Sequence, residues 1–338
     1  GESPRTQGGM MKLYDAFHDL YRPLRLRGKS PRTTELYQCM MRSFARWLGR
    51  EPVVADLDDL VVSRYLEARA VQVSPLTTER ERIQLCALAR LLAERRVIQF
   101  PLTVRPGRLP ERVPEAWSLK DMARLLTAAA DPATYRGRSG RPRCFPLPAL
   151  AKPAATDESA VALARMFSAL IPVLWETGER IWAVMDARQE DYRRPHLLLR
   201  AEARKGSKRD RVYTLSAATC DRIEALMAPG ADRVFPWASS KTTLWNQLRK
   251  IMKAAGLREG KKRLGFHQIR RTACTHYAAA GGDPRWFLDH ENLRTTTKWY
   301  LDPRYVENHA PPCDVLPAIF HPSPNDDDDD ATPAAVPA

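Results

Sequence analysis

The sequence predicts a mainly α-helical protein with a small β-hairpin or sheet, built as a helical N-terminal domain and a mixed, mostly helical second domain. Two observations predict this division. Apolar residues recur at helical spacing through the first hundred residues. Residues 100–114 are then rich in proline and arginine, a composition typical of an extended, solvated linker, and helical spacing resumes at residue 118.

Start and stop signals mark the helices of the first domain. We expect a first helix over residues 11–27. Ser30 and Pro31 combine an N-cap with a proline at the first helical position, and Gly49 ends the apolar stripe that follows. A shorter third helix and a fourth that begins after Ser74 complete a predicted bundle of four helices. The residues of the two clearest stripes are Tyr37, Met40, Met41, Phe44, Leu48, Leu85, Leu88 and Leu92.

The second domain is expected to open with a helix at Ser118 and to continue after a long loop over residues 131–157. Two strand candidates, 196–200 and 211–215, flank a basic turn, and the rest is helical to about residue 300. The predicted limits are a disordered N-terminus at 1–10, the helical domain at 11–105, a linker at 106–116, the second domain at 117–312 and a disordered acidic tail at 313–338.

Charge and hydropathy patterning restrict the function classes. The chain has 338 residues, a formal net charge of +14 and a pI near 9.7. Such an excess favours a polyanion partner through phosphate contacts, although charge alone fits a generic basic protein equally well. No stretch reaches the ~20 apolar residues of a transmembrane helix, and the six cysteines lack metal-knuckle spacing. We therefore expect a cytoplasmic protein with reduced, mostly buried thiols and no membrane partner.

The residues from 266 to 303 carry the most chemistry. His267 and Arg270 are three positions apart at a helix start, so they share one face and can both donate hydrogen bonds to one anion. His290 and Tyr300 follow. This set suits attack on a phosphodiester by a tyrosine hydroxyl, with neither a metal nor a cofactor.

These pieces resemble the signature of the tyrosine recombinases, the phage integrase family. His267 and Arg270 match its H-x-x-R, residues 288–290 its leucine–glycine–histidine, and Thr296-Thr297 with Tyr300 its nucleophile segment. Two earlier pieces also match. Arg180 stands in a T-G-x-R context after an apolar helix, and Lys205 stands at the lysine position of the basic hairpin.

The resemblance implies roles for six catalytic residues. Tyr300 would be the nucleophile, Arg180 and Arg270 would hold the non-bridging phosphate oxygens, and Lys205 would protonate the departing 5′-oxygen. His267 and His290 would hydrogen-bond the phosphate or manage the tyrosine proton. It also implies a core-binding, DNA-clamp domain at 11–105, a catalytic domain at 117–312, a double-stranded DNA partner, a homotetramer on two DNA sites and association with the nucleoid.

Alternatives remain open at this level. Tyr305 and, more distantly, Tyr277 rival Tyr300, and Lys208 can substitute for Lys205 because it lies in the same turn. Each candidate residue also has a structural interpretation, such as a tyrosine packed in the core or a solvated basic turn. At the level of function, the alternatives are a type IB topoisomerase-like relaxing enzyme and an inactive DNA-binding relic.

The segment departs from the family pattern in four places. Arg270 and His290 are 20 positions apart (290 − 270), about one helical turn closer than usual. His290 and Tyr300 are 10 positions apart (300 − 290), one more than usual. Asp289 replaces the glycine, and Ala183 occupies the position of a common acidic residue. All essential side-chain types remain, so we expect activity.

Overall fold

The computed structural model describes residues 11–110, 113–136, 156–204, 209–227, 230–257, 265–290 and 293–306. The chain divides into two compact units, Gly1–Arg112 and Val113–Ala338. The predicted disordered termini and most of the predicted loop at 131–157 lie outside the described residues, and the predicted domain limits stay a prediction.

The first unit is helical throughout. Its helices are α1 (Leu13–Asp15), continued by a π-helical segment (Ala16–Tyr21) into α2 (Arg22–Arg25), then α3 (Pro31–Leu48), α4 (Asp59–Gln72) and α5 (Pro75–Glu94). Most of the predicted signals operate locally, although the Ser30 side chain makes no capping hydrogen bond to the α3 backbone. Gly49 ends α3 in the left-handed region with φ +71°, and the Ser74 hydroxyl accepts a hydrogen bond from the Thr77 amide at 3.3 Å at the start of α5.

The core of the first unit is formed by the two stripes that the spacing predicts. Phe44, Leu85, Leu88 and Leu92 are fully buried, whereas Leu48 at the end of its stripe is half-buried. Fully burying one such side chain contributes about 1.5–3 kcal/mol. Apolar spacing therefore identified the buried faces of α3 and α5, whereas Leu13, Phe17 and Val62 from the other helices complete this core.

The segment after α5 is extended and mostly exposed, as expected, and side chains of the helices also anchor it at two points. The Thr103 amide donates to Asp59 at 2.7 Å, and the Arg82 guanidinium donates to the Val104 carbonyl at 2.9 Å. The segment lacks repeating backbone partners of its own, so side chains on α4 and α5 satisfy its polar groups. The proline-rich composition correctly predicted the extended backbone and missed these anchors.

The second unit joins helices to one small antiparallel sheet. Its helices are α6 (Leu119–Ala130), α7 (Thr156–Thr177), α8 (Ile181–Met185), α9 (Ala217–Glu224), α10 (Lys241–Ala254), α11 (Phe266–Ala279), α12 (Pro284–Leu288), α13 (Leu293–Tyr300) and α14 (Pro303–Val306). Its strands are β1 (Tyr192–Arg193), β2 (His196–Leu199) and β3 (Arg211–Thr214). The mainly α fold with a small sheet is the predicted fold class.

The sheet order is β1-β2-β3, with β2 antiparallel to both neighbours. Leu197 pairs with Tyr213, and Leu198 pairs with Val212. Burial alternates along the strands, because Leu197 and Tyr213 face the core while Val212 is exposed. This register places the Tyr213 hydroxyl 2.6 Å from the Glu179 carboxylate.

Helix α7 is the central helix of the second unit. Phe167, Leu170 and Val173 are fully buried. Residues Glu158–Thr177 have a mean hydropathy of 1.3, so this helix is long and apolar enough to cross a membrane, contrary to the expectation that no stretch is. Because 61% of its apolar window is buried inside the unit, its hydropathy is explained by its place in the core.

The described cysteines are free thiols, and only half of them are buried. Cys220 and Cys274 are buried, Cys86 is half-buried and Cys39 is exposed. The expectation of mostly buried thiols is therefore wrong for the first unit. In helix α3 the apolar stripe runs through Tyr37 and Met40, which places Cys39 on the outer face.

Candidate active site

Helix α11 presents the first pair of candidate residues. The buried ring of Phe266 anchors its first turn, packing edge-on against Trp245 at 5.0 Å between ring centroids. His267 and Arg270 then fall on one face, as predicted from their spacing. Arg270 is 2% exposed, among the most buried large side chains of the described residues, whereas His267 is exposed.

Tyr300 closes helix α13 against this face. Its hydroxyl lies 2.9 Å from His267 Nε2, and its ring centroid lies 5.6 Å from the guanidinium carbon of Arg270. Its ring packs with Phe287 and Leu288 in a small cluster, and its carbonyl accepts a hydrogen bond from the Thr275 hydroxyl at 2.8 Å. Packing therefore fixes the ring, and the hydroxyl faces His267.

Backbone carbonyls hold the Arg270 guanidinium in place. It donates to the Gly178 carbonyl and, at 3.0 Å, to the Leu288 carbonyl. Its Nη2 lies 3.4 Å from His290 Nε2. Among the described residues, Arg270 Nε is buried without a hydrogen-bond partner. A buried cation with one unused donor is suited to receive an anion.

Gly178 is required by its backbone and by its surroundings. Its φ is +60°, and a Cβ at this position would lie 2.3 Å from the ring of Phe287. Thr177 braces the same turn, because its hydroxyl donates to the Val173 carbonyl at 2.6 Å and accepts from the Glu179 amide at 3.3 Å. The T-G-x-R pattern thus has a steric cause: it presents the Gly178 carbonyl to Arg270.

Arg180 lies at the N-cap position of α8 and is half-exposed. Its positive charge is one of the causes that lower the pKa values of His267, Arg270 and His290. Arg180 and Arg270 therefore contribute their charges to one site, although their segments are 90 positions apart (270 − 180).

His290 also reaches this site despite the altered spacing. Its Nδ1 lies 2.9 Å from the hydroxyl of the fully buried Thr296, and its ring contacts that of Tyr300 at 5.0 Å between centroids. The chain makes the shorter path from Arg270 with a five-residue helix, α12. The two unusual spacings therefore do not exclude His290.

Both histidines are held neutral near pH 7. Desolvation lowers the pKa of His267 to about 4, with further lowering by the charges of Arg270, Arg271 and Arg180. Desolvation, followed by the charges of Arg270 and Arg180, likewise lowers the pKa of His290 to about 4. A neutral ring whose Nδ1 carries the proton can accept a proton at Nε2.

The turn with Lys205 and Lys208 lies outside the described residues. Its flanking residues are described: Arg204 is buried, and Arg209 is exposed. The Arg204 guanidinium donates to Glu179 at 2.7 Å and to Asp289 at 2.8 Å. Sequence reasoning assigned no role to Arg204 or Glu179.

Glu179 is a buried carboxylate that the family pattern misplaced. It accepts from the Tyr213 hydroxyl at 2.6 Å and lies 3.7 Å from Arg270. Burial would raise its pKa, but the hydrogen bond from Tyr213 and the charges of Arg270 and Arg204 outweigh that effect and hold the pKa below its usual range. The family pattern has a common acidic residue three positions after Arg180, where this chain has Ala183. The carboxylate that pairs with the arginines here is Glu179, which directly precedes Arg180.

The rival residues lie in other environments. The ring of Tyr305 packs on His276 at 4.9 Å, and that of Tyr277 stacks on Phe287 at 4.7 Å between centroids. Arg271 donates to the Trp299 carbonyl at 3.1 Å, a structural contact next to Tyr300. The described geometry thus favours Tyr300 over both other tyrosines.

Comparison with known proteins supports the fold. A solved λ integrase dimer bound to a COC′ core site has a TM-score of 0.66 at 13% identity, over 92% of this chain and 84% of that one. XerH site-specific recombinase bound to a palindromic difH substrate has a TM-score of 0.60 at 16% identity, over 83% of this chain and 80% of that one. At such low identity these likenesses show the fold.

The family follows from the sequence of the second unit. No curated protein sequence matches the chain. Residues 150–307 match the Phage integrase family, and this range includes all six candidate catalytic residues. The segment that carries the H-x-x-R helix and Tyr300 thus matches the phage integrase family, the tyrosine recombinases.

Proposed function

We propose that this recombinase cleaves and rejoins duplex DNA through a 3′-phosphotyrosyl intermediate on Tyr300. The observation that carries the proposal is the 2.9 Å contact between the Tyr300 hydroxyl and His267 Nε2, in a pocket that also contains Arg270 and His290. A nucleophile, a neutral base and a preorganised cation converge there within one chain.

The cleavage step balances with groups of this chain. The Tyr300 oxygen forms a bond to phosphorus, and the bond from phosphorus to the 5′-oxygen breaks. The phenolic proton passes to His267 Nε2, and Lys205, or Lys208 from the same turn, gives a proton to the departing 5′-oxygen. The ester bond is exchanged rather than lost, so attack by a 5′-hydroxyl reverses the step and rejoins the strand without ATP.

Positive charge stabilises the phosphate as it passes through five-coordination. We assign the two non-bridging oxygens to Arg180 and Arg270, because the guanidinium fork suits two oxygens better than an ammonium does. The unused Nε of Arg270 supports this assignment. His290 Nε2 accepts from Arg270 Nη2 at 3.4 Å while its Nδ1 faces the Thr296 hydroxyl, so His290 helps to orient the Arg270 guanidinium towards the phosphate.

Double-stranded DNA is the proposed partner, bound by a homotetramer on two sites. The net charge of +14 supports a DNA partner. A λ integrase tetramer bound to a Holliday junction is similar in fold, with a TM-score of 0.62 at 13% identity over 85% of this chain and 79% of that one. We propose residues 11–105 as a DNA-clamp domain, 117–312 as the catalytic domain, and action at the nucleoid.

A suicide-substrate assay tests the proposal. Nicked duplexes from the DNA that flanks the gene let the short cleaved fragment diffuse away, so the covalent adduct accumulates. We expect a protein–DNA adduct, with the DNA attached to the peptide that contains Tyr300. Salt-dependent binding without any adduct would instead favour the inactive relic.

A further inference from the structure

Three charged residues that the cleavage step does not use form a continuous chain. Arg204 Nε donates to Glu179 Oε1 at 2.7 Å, and Arg204 Nη2 donates to Asp289 Oδ2 at 2.8 Å. The side chains of Arg204 and Glu179 are 2% and 3% exposed, and that of Asp289 is 22% exposed. One buried guanidinium therefore bridges two carboxylates from distant segments.

Each member of this chain directly precedes a candidate catalytic residue. Glu179 precedes Arg180, Arg204 precedes Lys205, and Asp289 precedes His290. Neighbouring residues share a peptide plane, so fixing one side chain limits where the next Cα can lie. The bridge at Arg204 thus lies among three segments that carry candidate residues, and Lys205 is the candidate that directly follows Arg204 itself.

Arg204 also joins the two ends of the basic turn. Its Nη1 donates to the Arg209 carbonyl at 2.9 Å, across residues 205–208. Both candidate proton donors, Lys205 and Lys208, belong to that interval. Arg204 therefore links the Arg209 end of this interval to Glu179 and Asp289, and the Arg209 side chain itself lies 3.5 Å from Asp289.

Charges of opposite sign alternate along the cluster. Glu179 lies between Arg204 and Arg270, and Asp289 lies between Arg204 and the exposed Arg209, which is 3.5 Å away. A buried charge without its partner is unfavourable, so the removal of Arg204 leaves Glu179 and Asp289 poorly compensated.

Two departures from the family pattern meet at this guanidinium. Asp289 stands at the glycine position with φ +53°, in the left-handed region that aspartate tolerates better than most residues. Glu179 supplies a carboxylate where Ala183 cannot. We infer that Arg204 is a positioning residue, which uses Glu179, Asp289 and the Arg209 carbonyl to fix the two residues that flank the interval with the proposed proton donor for the 5′-oxygen.

The inference rests on the proposed function and has its own test. A leaving sulfur departs as a thiolate and needs no proton donor, so a bridging 5′-sulfur at the scissile phosphate bypasses Lys205 and Lys208. Arg204→Met should cleave the ordinary substrate about 100-fold more slowly, the cost of a small misplacement. On the sulfur substrate it should return to within roughly fivefold of the unaltered protein.

Arg200→Met is the matched control. Arg200 lies in the same hairpin region, but its side chain is 40% exposed and pairs with Asp191 and Glu190. Its loss should leave both rates within about twofold, as for most surface substitutions. A large loss in this control would mean that any disturbance of the hairpin slows cleavage, which overturns a specific role for Arg204.

Asp289→Gly is the second variant and is protected against misfolding. Glycine adopts a positive φ more easily than aspartate, so the backbone favours this change and only the carboxylate is lost. It should slow cleavage about tenfold on oxygen and much less on sulfur. Arg204→Lys, which keeps the charge but cannot bridge both carboxylates, replaces Arg204→Met should the latter fail to fold.

The outcomes separate the inference from the proposed function. Equal losses on oxygen and sulfur, or no loss with either variant, overturn the positioning role while the recombinase mechanism stands. Absence of cleavage by the unaltered protein on both substrates overturns the mechanism and the inference together.

Discussion

The two units each contain a buried cluster of tyrosine, glutamate and arginine, and the two clusters differ in one respect. In the first unit, Glu81 accepts from the Tyr65 hydroxyl at 2.7 Å and from Arg69 at 2.9 and 3.0 Å. One carboxylate meets one guanidinium, and the set is closed. A closed, balanced pair of this kind holds α4 to α5 and has no capacity left for a ligand.

The cluster of the second unit is open. Glu179 accepts from Tyr213 and Arg204 as Glu81 does from Tyr65 and Arg69, but a second arginine, Arg270, also lies beside it. The Nε of Arg270 has no partner among the described residues. The same three residue types therefore serve structure in one unit, and in the other they support a cation that is available to a phosphate.

The largest effect expected at the open cluster is the loss of the Tyr300 hydroxyl. Tyr300→Phe keeps the ring that packs with Phe287 and Leu288, so folding and DNA binding should survive. The covalent adduct should fall below detection, since removing a nucleophile costs on the order of 10⁶ in rate. Tyr305→Phe is the control. An adduct that persists in Tyr300→Phe and vanishes in Tyr305→Phe would transfer the role to Tyr305.

The next largest effect concerns the two arginines that we assign to the phosphate, Arg180 and Arg270. Arg180→Ala and Arg270→Ala should each slow single-turnover cleavage by about 10²–10³-fold while DNA binding is largely kept. The buried Arg270 also balances Glu179, so its variant should melt at a lower temperature than Arg180→Ala. Arg194→Ala, an exposed surface arginine, is the control. Near-normal cleavage by either variant would show that another residue holds the phosphate.

Paired glutamate variants test the comparison itself. Glu81→Gln and Glu179→Gln each remove one buried charge and keep the side-chain shape. Both should lower the free energy of unfolding, by roughly 3 kcal/mol if the buried arginine is left unbalanced. Only Glu179→Gln should also slow cleavage, by about 10–100-fold, because it alone neighbours Arg270. Equal cleavage rates in the two folded variants would remove the distinction between the clusters.

The smallest effect is on stability at acid pH. The folded pKa of His267 is about 4, below the unfolded value near 6.5, so the unfolded chain takes up a proton first as the pH falls. Stability that His267 contributes above pH 6.5 should be lost progressively towards pH 4. Because the residue is exposed and solvent screens its charge, the loss should be only about a few tenths of a kcal/mol.

Thermal melting measures this small term. The melting temperature of the unaltered protein should fall more between pH 7 and pH 4.5 than that of His267→Asn, which lacks the titrating ring. The same fall in both proteins would show that other groups control the acid response. His290→Asn gives a parallel measurement, because the pKa of His290 is also lowered to about 4.

Local patterns in the sequence were enough to predict the helices of the first unit and the reactive residue types of the second. Apolar spacing located the core residues Phe44 and Leu88, since helical periodicity reports burial directly. The three-residue spacing of His267 and Arg270 placed both on one face for the same reason. The H-x-x-R and tyrosine motifs indicated the family because they are short segments with fixed spacing, which can be recognised without the fold.

Only the tertiary structure revealed which acid and which extra arginine support the site. Arg204 and Asp289 are 85 positions apart, and Glu179 and Arg204 are 25 apart, so no helical or strand period relates them. A carboxylate becomes a partner for Arg270 through burial beside it, and burial beside a residue from a distant segment is decided by packing. The sequence thus determined which groups could react, and the fold determined which charges could be buried together to hold them.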